Sequence, residues 1–177
     1  MRIIKLAFLS FFFLFILVTL ISLLIPSNVR ISRAVNVYSD PSQILVPVKN
    51  LNQWPQWYPG LKNLPATDIK FSEDAGKPVM NIPGSTVIIK KANDQQVLAD
   101  LVGAKGKKIV NGFNAITHNE SDSVTLQWYM DFKLNWYPWE KFGSMLYEKM
   151  YGSTMEKGLE NLSHIIDSSH LSQNVVR

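Results

Sequence analysis

The chain spreads 18 basic and 14 acidic residues over 177 positions, a formal charge of +4, and contains no cysteine. Two of the 18 basic residues, Arg2 and Lys5, precede an apolar run; the 16 left face 14 acidic ones, too even a balance for a nucleic-acid-binding surface. The lack of cysteine excludes disulfides, thiol catalysis and a lipidated-cysteine anchor, and the length suits one domain with a real core plus an appendage.

Leu6 to Ile25 holds no charged residue and is rich in Phe, Leu and Ile. About 20 helical residues, rising about 1.5 Å each, cross a hydrocarbon layer of about 30 Å, so this run is expected to span a membrane. Its polar side chains, Ser10, Thr19 and Ser22, can bond back to the helix, and Pro26-Ser27-Asn28 ends it. A cleaved signal sequence has a shorter apolar region closing on a small-x-small site. Leu23-Leu24-Ile25-Pro26 stands there instead, so residues 1–27 read as an uncleaved anchor. Arg2, Lys5 and the amino terminus argue for an inward N-terminus, while Arg30, Arg33 and Lys49 beyond the span argue against it. The balance favours a soluble part facing outward.

Val29, Ile31, Val35 and Val37 alternate with polar neighbours, the pattern of a half-buried strand. Asp40-Pro41 is a helix start, Asp as N-cap and Pro at the first helical position. The helix is expected from Pro41 to Leu51, kinked or split by Pro47. Then comes Trp54-Pro55-Gln56-Trp57-Tyr58-Pro59, a rigid aromatic corner that needs a wall to pack against. From Thr67 the chain reads as a meander. Strands are expected over 68–72, 78–82, 85–91, 96–102 and 108–119, with turns at Glu73–Gly76, Pro83-Gly84, Asn93-Asp94, around Gly103–Gly106 and at Glu120–Ser123. Lys105, Lys107 and Lys108 belong to a solvated hairpin tip on this reading. Val124 to Trp136 gives the clearest strand. Val124, Leu126, Trp128, Met130, Phe132, Leu134 and Trp136 point one way, which marks an antiparallel sheet with one buried face.

The last element is helical. Phe142, Leu146, Met150, Met155, Leu159, Leu162 and Ile166 form one apolar stripe, with a five-residue step that predicts a bend or break near Tyr151-Gly152-Ser153. Gly158 permits a close approach, and the polar tail over 168–177 is expected to fray. The economical packing of this order is an α+β domain over residues 28–167, a curved antiparallel sheet of about seven strands around a long C-terminal helix.

Three places then carry a resemblance. They are Ile31–Tyr38 followed by Asp40-Pro41; Leu51–Trp57, close to a D-x-x-x-W-P-x-W corner with Asn50 at the Asp position; and Met155–Leu162, close to a closing G-L-x-x-L helix. Together they resemble the START-like, Bet v 1-like superfamily with the helix-grip fold, and within it the bacterial polyketide cyclase/dehydrase and lipid-transport group, also called SRPBCC proteins. The resemblance spans 26–167, and members with one N-terminal membrane helix are the most similar in outline. It implies a deep apolar cavity between sheet and helix, a lipid or other hydrophobic small molecule as partner, and a bacterial inner-membrane setting. It implies no shared catalytic residue, no cofactor and no metal.

The residues themselves show no G-x-S-x-G, P-loop, H-E-x-x-H or dinucleotide fingerprint, and His118, His164 and His170 lack a second ligand at metal spacing. Asp131 falls on the polar face of its strand, and Asp100 is the candidate for a polar group inside the cavity. The candidate lining is Trp57, Phe113, Trp128, Met130, Phe132, Trp136, Met150 and Met155; these side chains can fill a core as well as line a pocket. The cluster Trp136-Tyr137-Pro138-Trp139 can pack a corner, gate a pocket mouth or sit at a membrane interface. Three functions follow: a membrane-anchored binder of a hydrophobic ligand, a cyclase- or hydrolase-type enzyme with an ionisable cluster near Asp100 or Tyr129, and an interaction module with a filled core.

Overall fold

The computed structural model describes residues 2–118 and 123–175, so all but Ser123 of the turn expected at Glu120–Ser123 lies outside the described residues. Helix α1 (Arg2–Leu23) leads into strand β1 (Asn28–Val37). The expected first helix is split into α2 (Pro41–Ile44) and α3 (Val46–Lys49). The break at Leu45 is what Pro47 requires, since its ring excludes the carbonyl four residues back. Asp40 caps α2, its side chain accepting the Ser42 N–H at 2.9 Å. Helix α4 (Trp54–Trp57) forms the aromatic corner, and a single 3-10 turn, Pro59–Leu61, continues it.

Six further strands follow: β2 (Lys70–Asp74), β3 (Lys77–Ile82), β4 (Ser85–Ala92), β5 (Gln96–Gly103), β6 (Lys108–Thr117) and β7 (Val124–Lys133). Every neighbouring pair is antiparallel and the order is β1-β7-β6-β5-β4-β3-β2, one seven-stranded sheet. Two helices close the chain, α5 (Pro138–Ser144) and α6 (Tyr147–Val175). The helix break falls at Met145-Leu146, and α6 runs unbroken through Gly152, where a bend was expected. α6 continues past Asp167 to Val175, and no Gly or Pro interrupts the sequence there.

One face of the sheet is core. Ile31, Val37, Val97, Ala99, Phe113, Leu126, Trp128, Met130 and Phe132 are buried on it, and Met155, Leu159, Leu162 and Ile166 of α6 cover the β1–β7 half. The corner contacts α6 and covers the middle. Gly158 lies where α6 meets the sheet. A Cβ there would stand 2.7 Å from the Trp128 ring and 3.3 Å from Pro59, so this turn of helix needs glycine.

Polar clamps fix the rest. Arg33 reaches across α6 to Glu156 at 2.7 Å and to Glu148, and both carboxylates raise its pKa. The hairpin tip is exposed, as expected, and two of its lysines are also paired: Lys108 with Asp100 at 2.7 Å, and Lys107, which donates to Glu140 of α5. The Asn135 N–H also donates to Glu140, at 2.8 Å. The hydrogen bond from Lys107 holds the Glu140 carboxyl below the usual carboxylate range. A depressed folded-state pKa stabilises the fold above the ordinary carboxylate value of about 4.3, and that gain is lost as pH falls through the folded value. Glu140→Gln should therefore lower the unfolding midpoint at pH 7 and converge with the parent chain in acid, as read from unfolding curves at both pH values.

Candidate functional site

The interior is built around five aromatic rings. Trp128 stacks on Phe113 at 5.2 Å and 22°, and meets Trp57 edge-on at 5.7 Å and 85°. Trp54 and Tyr58 close the ring of contacts, Trp54 lying 5.0 Å from Trp57 and Tyr58 lying 5.7 Å from Trp128. Each buried indole N–H has a partner, as burial demands. Trp54 donates to the Val48 carbonyl at 2.9 Å, Trp57 to the Pro47 carbonyl at 3.3 Å, and Trp128 to Asn111 Oδ1 at 3.2 Å. The broken α2–α3 segment thus presents the carbonyls that hold the corner. Asn161 of α6 secures it from the other side, donating to the Trp57 carbonyl at 3.0 Å.

Those rings pack against one another between the sheet and α6, where the family resemblance implies a deep cavity. A smaller cavity of about 140 Å³ remains to one side, between the corner and strands β3–β6. Trp54, Tyr58 and Leu61 roof it; Met80, Val87, Leu101 and Asn111 floor it, with Gly60, Ile82 and Ser85 at its edge. The lining is apolar apart from Asn111, Ser85 and the Tyr58 hydroxyl. Burial pushes the Tyr58 phenol up, with Tyr151 adding to the shift, so it stays a neutral hydrogen-bonding group over ordinary pH.

Of the expected lining, Trp57, Phe113, Trp128, Met130, Phe132 and Met155 are buried in the core, but none of them borders this cavity. Trp136 and Met150 stand on the surface, 58% and 60% exposed. Strand β7 ends at Lys133, so alternation no longer governs Trp136. On α6, five residues separate Met150 from Met155, which turns their side chains about 140° apart. Asp100 lies on the outer face, paired with Lys108 and, at 3.8 Å, with Lys90, because Val97, Ala99 and Leu101 take the inward phase of β5. Tyr129 is also outside, its ring under the Arg30 guanidinium at 4.1 Å. Arg30 is held there by Asp131, in two bonds of 2.6 and 2.7 Å. The enzyme reading therefore loses both residues on which it rested.

Sequence reasoning missed Asn111. It sits two residues before Phe113 on the inward row of β6, and a lone amide among inward apolar residues is the signal that points to it. Among the described residues no cluster of metal-ligating side chains occurs.

No family model and no curated protein matches the chain. Solved structures do. A START superfamily protein from Mycobacterium smegmatis is 20% identical at a TM-score of 0.54, covering 78% of this chain and 97% of that one. Norcoclaurine synthase from Thalictrum flavum, in complex with dopamine and hydroxybenzaldehyde, is 10% identical at a TM-score of 0.56, covering 82% and 90%. The di-domain ARO/CYC BexL from the BE-7585A biosynthetic pathway is 8% identical at a TM-score of 0.57, covering 80% of this chain and 50% of BexL. The likeness is one of fold: this chain's seven-stranded antiparallel sheet packed on a long C-terminal helix is a helix-grip arrangement, and it superposes on a START superfamily protein.

Proposed function

We propose that this protein is a membrane-anchored binder of small hydrophobic molecules, with residues 1–27 as the anchor and the cavity under the aromatic corner as the binding site. The cavity carries the reading. Its apolar walls and a few convergent polar groups are the general make-up of a small-molecule site. At about 140 Å³ it is smaller than most such sites but close to engineered apolar cavities of about 150 Å³ that admit benzene. A single aromatic ring, or a short alkyl chain with one polar end for Asn111, is the ligand that fits. Neighbours on this fold support a small-molecule partner: norcoclaurine synthase is solved with dopamine and hydroxybenzaldehyde.

The anchor reading draws on α1, a 22-residue helix whose most apolar 18-residue stretch has a mean hydropathy of 2.8. Its foot is also part of the fold. Lys141 Nζ donates to the Ile25 carbonyl at 2.7 Å and to Ser27 Oγ at 2.8 Å, a bonding that cleavage near Ile25 would discard.

The test uses the full chain in lipid nanodiscs, titrated with single-ring aromatics and short-chain alcohols. Saturable changes in tryptophan emission are expected, and Val87→Phe, which fills the cavity from its floor, should abolish them while leaving the unfolding midpoint unchanged or higher. Binding that survives Val87→Phe would place the site elsewhere, and no saturable binding across the panel would end this reading.

A further inference from the structure

Helix α5 buries its small and polar face. Pro138, Lys141 and Ser144 are buried at steps of three, and Lys141 is only 2% exposed. Its large apolar side chains, Trp139 and Phe142, point away from the core, and Leu146 and Met150 extend the stripe one and two turns further. Trp139 is 67% exposed. A water-facing helix does the reverse, with apolar residues inward and lysine outward. A contiguous apolar patch of this kind on a folded domain marks a surface that something covers.

The position of α5 identifies what covers it. α1 packs against α5, and the covered positions at its end are Val18, Thr19 and Ser22, with Ile25 just past it. From Val18 to Leu23, where α1 ends, the helix rises about 7.5 Å. Helix α5 thus lies alongside the last stretch of the apolar helix, within the depth of about 5–10 Å to which interfacial helices bury their apolar faces. The Lys141 ammonium stands at the C-terminal end of α1, where helix-end carbonyls favour a cation. Beside the patch, Tyr137 stacks on Trp139 at 4.9 Å and 8°, and Trp136 meets Tyr137 at 4.9 Å and a tilt of 40°; tryptophan and tyrosine are the residues that concentrate at headgroup level. Lys133, in register with Asn28 just past the anchor, adds a cation facing the same level.

We infer that α5 and the first turns of α6 lie in the lipid interface, with Trp139, Phe142, Leu146 and Met150 inserted at the headgroup–acyl boundary. The domain then rests on the bilayer and does not hang from its anchor. This rests on the reading of α1 as a membrane span. The covering partner is the lipid surface itself.

The chain has no native cysteine, so an introduced thiol is a unique label site. Spin labels at Phe12→Cys, Phe142→Cys, Leu146→Cys and Met150→Cys, with Lys77→Cys as the aqueous reference, are compared in the full chain reconstituted alone into phosphatidylcholine–phosphatidylglycerol vesicles. The readout is accessibility to oxygen against a water-soluble nickel chelate. Oxygen-dominated accessibility at 12, 142, 146 and 150, with chelate-dominated accessibility at 77, is the expected result. A label at 12 in the bilayer with labels at 142, 146 and 150 open to the chelate would overturn the inference and leave the anchor standing; a covering protein partner would give that same pattern, since none is present. A label at 12 open to the chelate would remove the anchor and the inference together. Three labelled positions on the patch keep the test intact should one variant fail to fold.

Discussion

Trp128→Ala should leave the domain at or near its unfolding threshold. Trp128 is fully buried, stacked on Phe113, edge-on to Trp57, and seated over Gly158. Replacing a buried tryptophan with alanine costs about 3–5 kcal/mol, through lost transfer energy and the cavity left behind. The substitution also takes the indole N–H from Asn111 Oδ1, and leaving a buried acceptor unpaired costs about 1–3 kcal/mol more. Domains of this size are stable by only about 5–15 kcal/mol, so the loss is a large part of the total. Urea unfolding followed by tyrosine circular dichroism measures it. A cost below about 1 kcal/mol would mean that the aromatic cluster is loosely packed, contrary to the close ring contacts of the interior.

On the opposite face of the sheet the largest effect comes from adding one methyl group. A Cβ at Gly112 would stand 2.0 Å from Tyr129 Cζ, a distance no real pair of atoms tolerates. The Tyr129 ring cannot lift away freely, because Arg30 covers its other side and is fixed by Asp131. Gly112→Ala should cost about 1–3 kcal/mol by overpacking. In a Tyr129→Ala background the same change should turn neutral or stabilising by about 0.5–1 kcal/mol, because alanine loses less backbone entropy than glycine. Four unfolding curves complete this double-mutant cycle. Equal costs in both backgrounds would show that the ring does not rest on Gly112.

Much of the fold was legible because it rests on local signals. The alternation of β7 holds from Val124 to Phe132, and Asp40-Pro41 starts a helix where its capping chemistry requires. The corner was legible as an aromatic turn, but not as a plug. Whether two tryptophans line a space or fill it depends on how Phe113 and Trp128, distant in sequence, meet them, and periodicity carries no such information. The apolar stripe drawn from Phe142 to Ile166 was in fact two stripes. The part from Met155 onward packs on the sheet, while Phe142, Leu146 and Met150 face outward. A hydrophobic pattern identifies an apolar face without naming the medium that covers it. Asp100 was misplaced because both phases of β5 carry apolar residues, so only the pairing with β4 and β6 fixes which way each points.

β1 is made first and β7 last, yet they are neighbours in the sheet. Arg30 and its partner Asp131 are 101 residues apart in sequence. A ribosome adding about 5–20 residues per second delivers that partner about 5–20 s later. For that interval the nascent β1 is an open strand edge, the kind of surface that recruits wrong partners. Its sequence suits the wait, because Arg30, Ser32, Arg33 and Asn36 interrupt every apolar run with charge or polarity. The arginines that later clamp Asp131, Glu148 and Glu156 are thus also gatekeepers during synthesis.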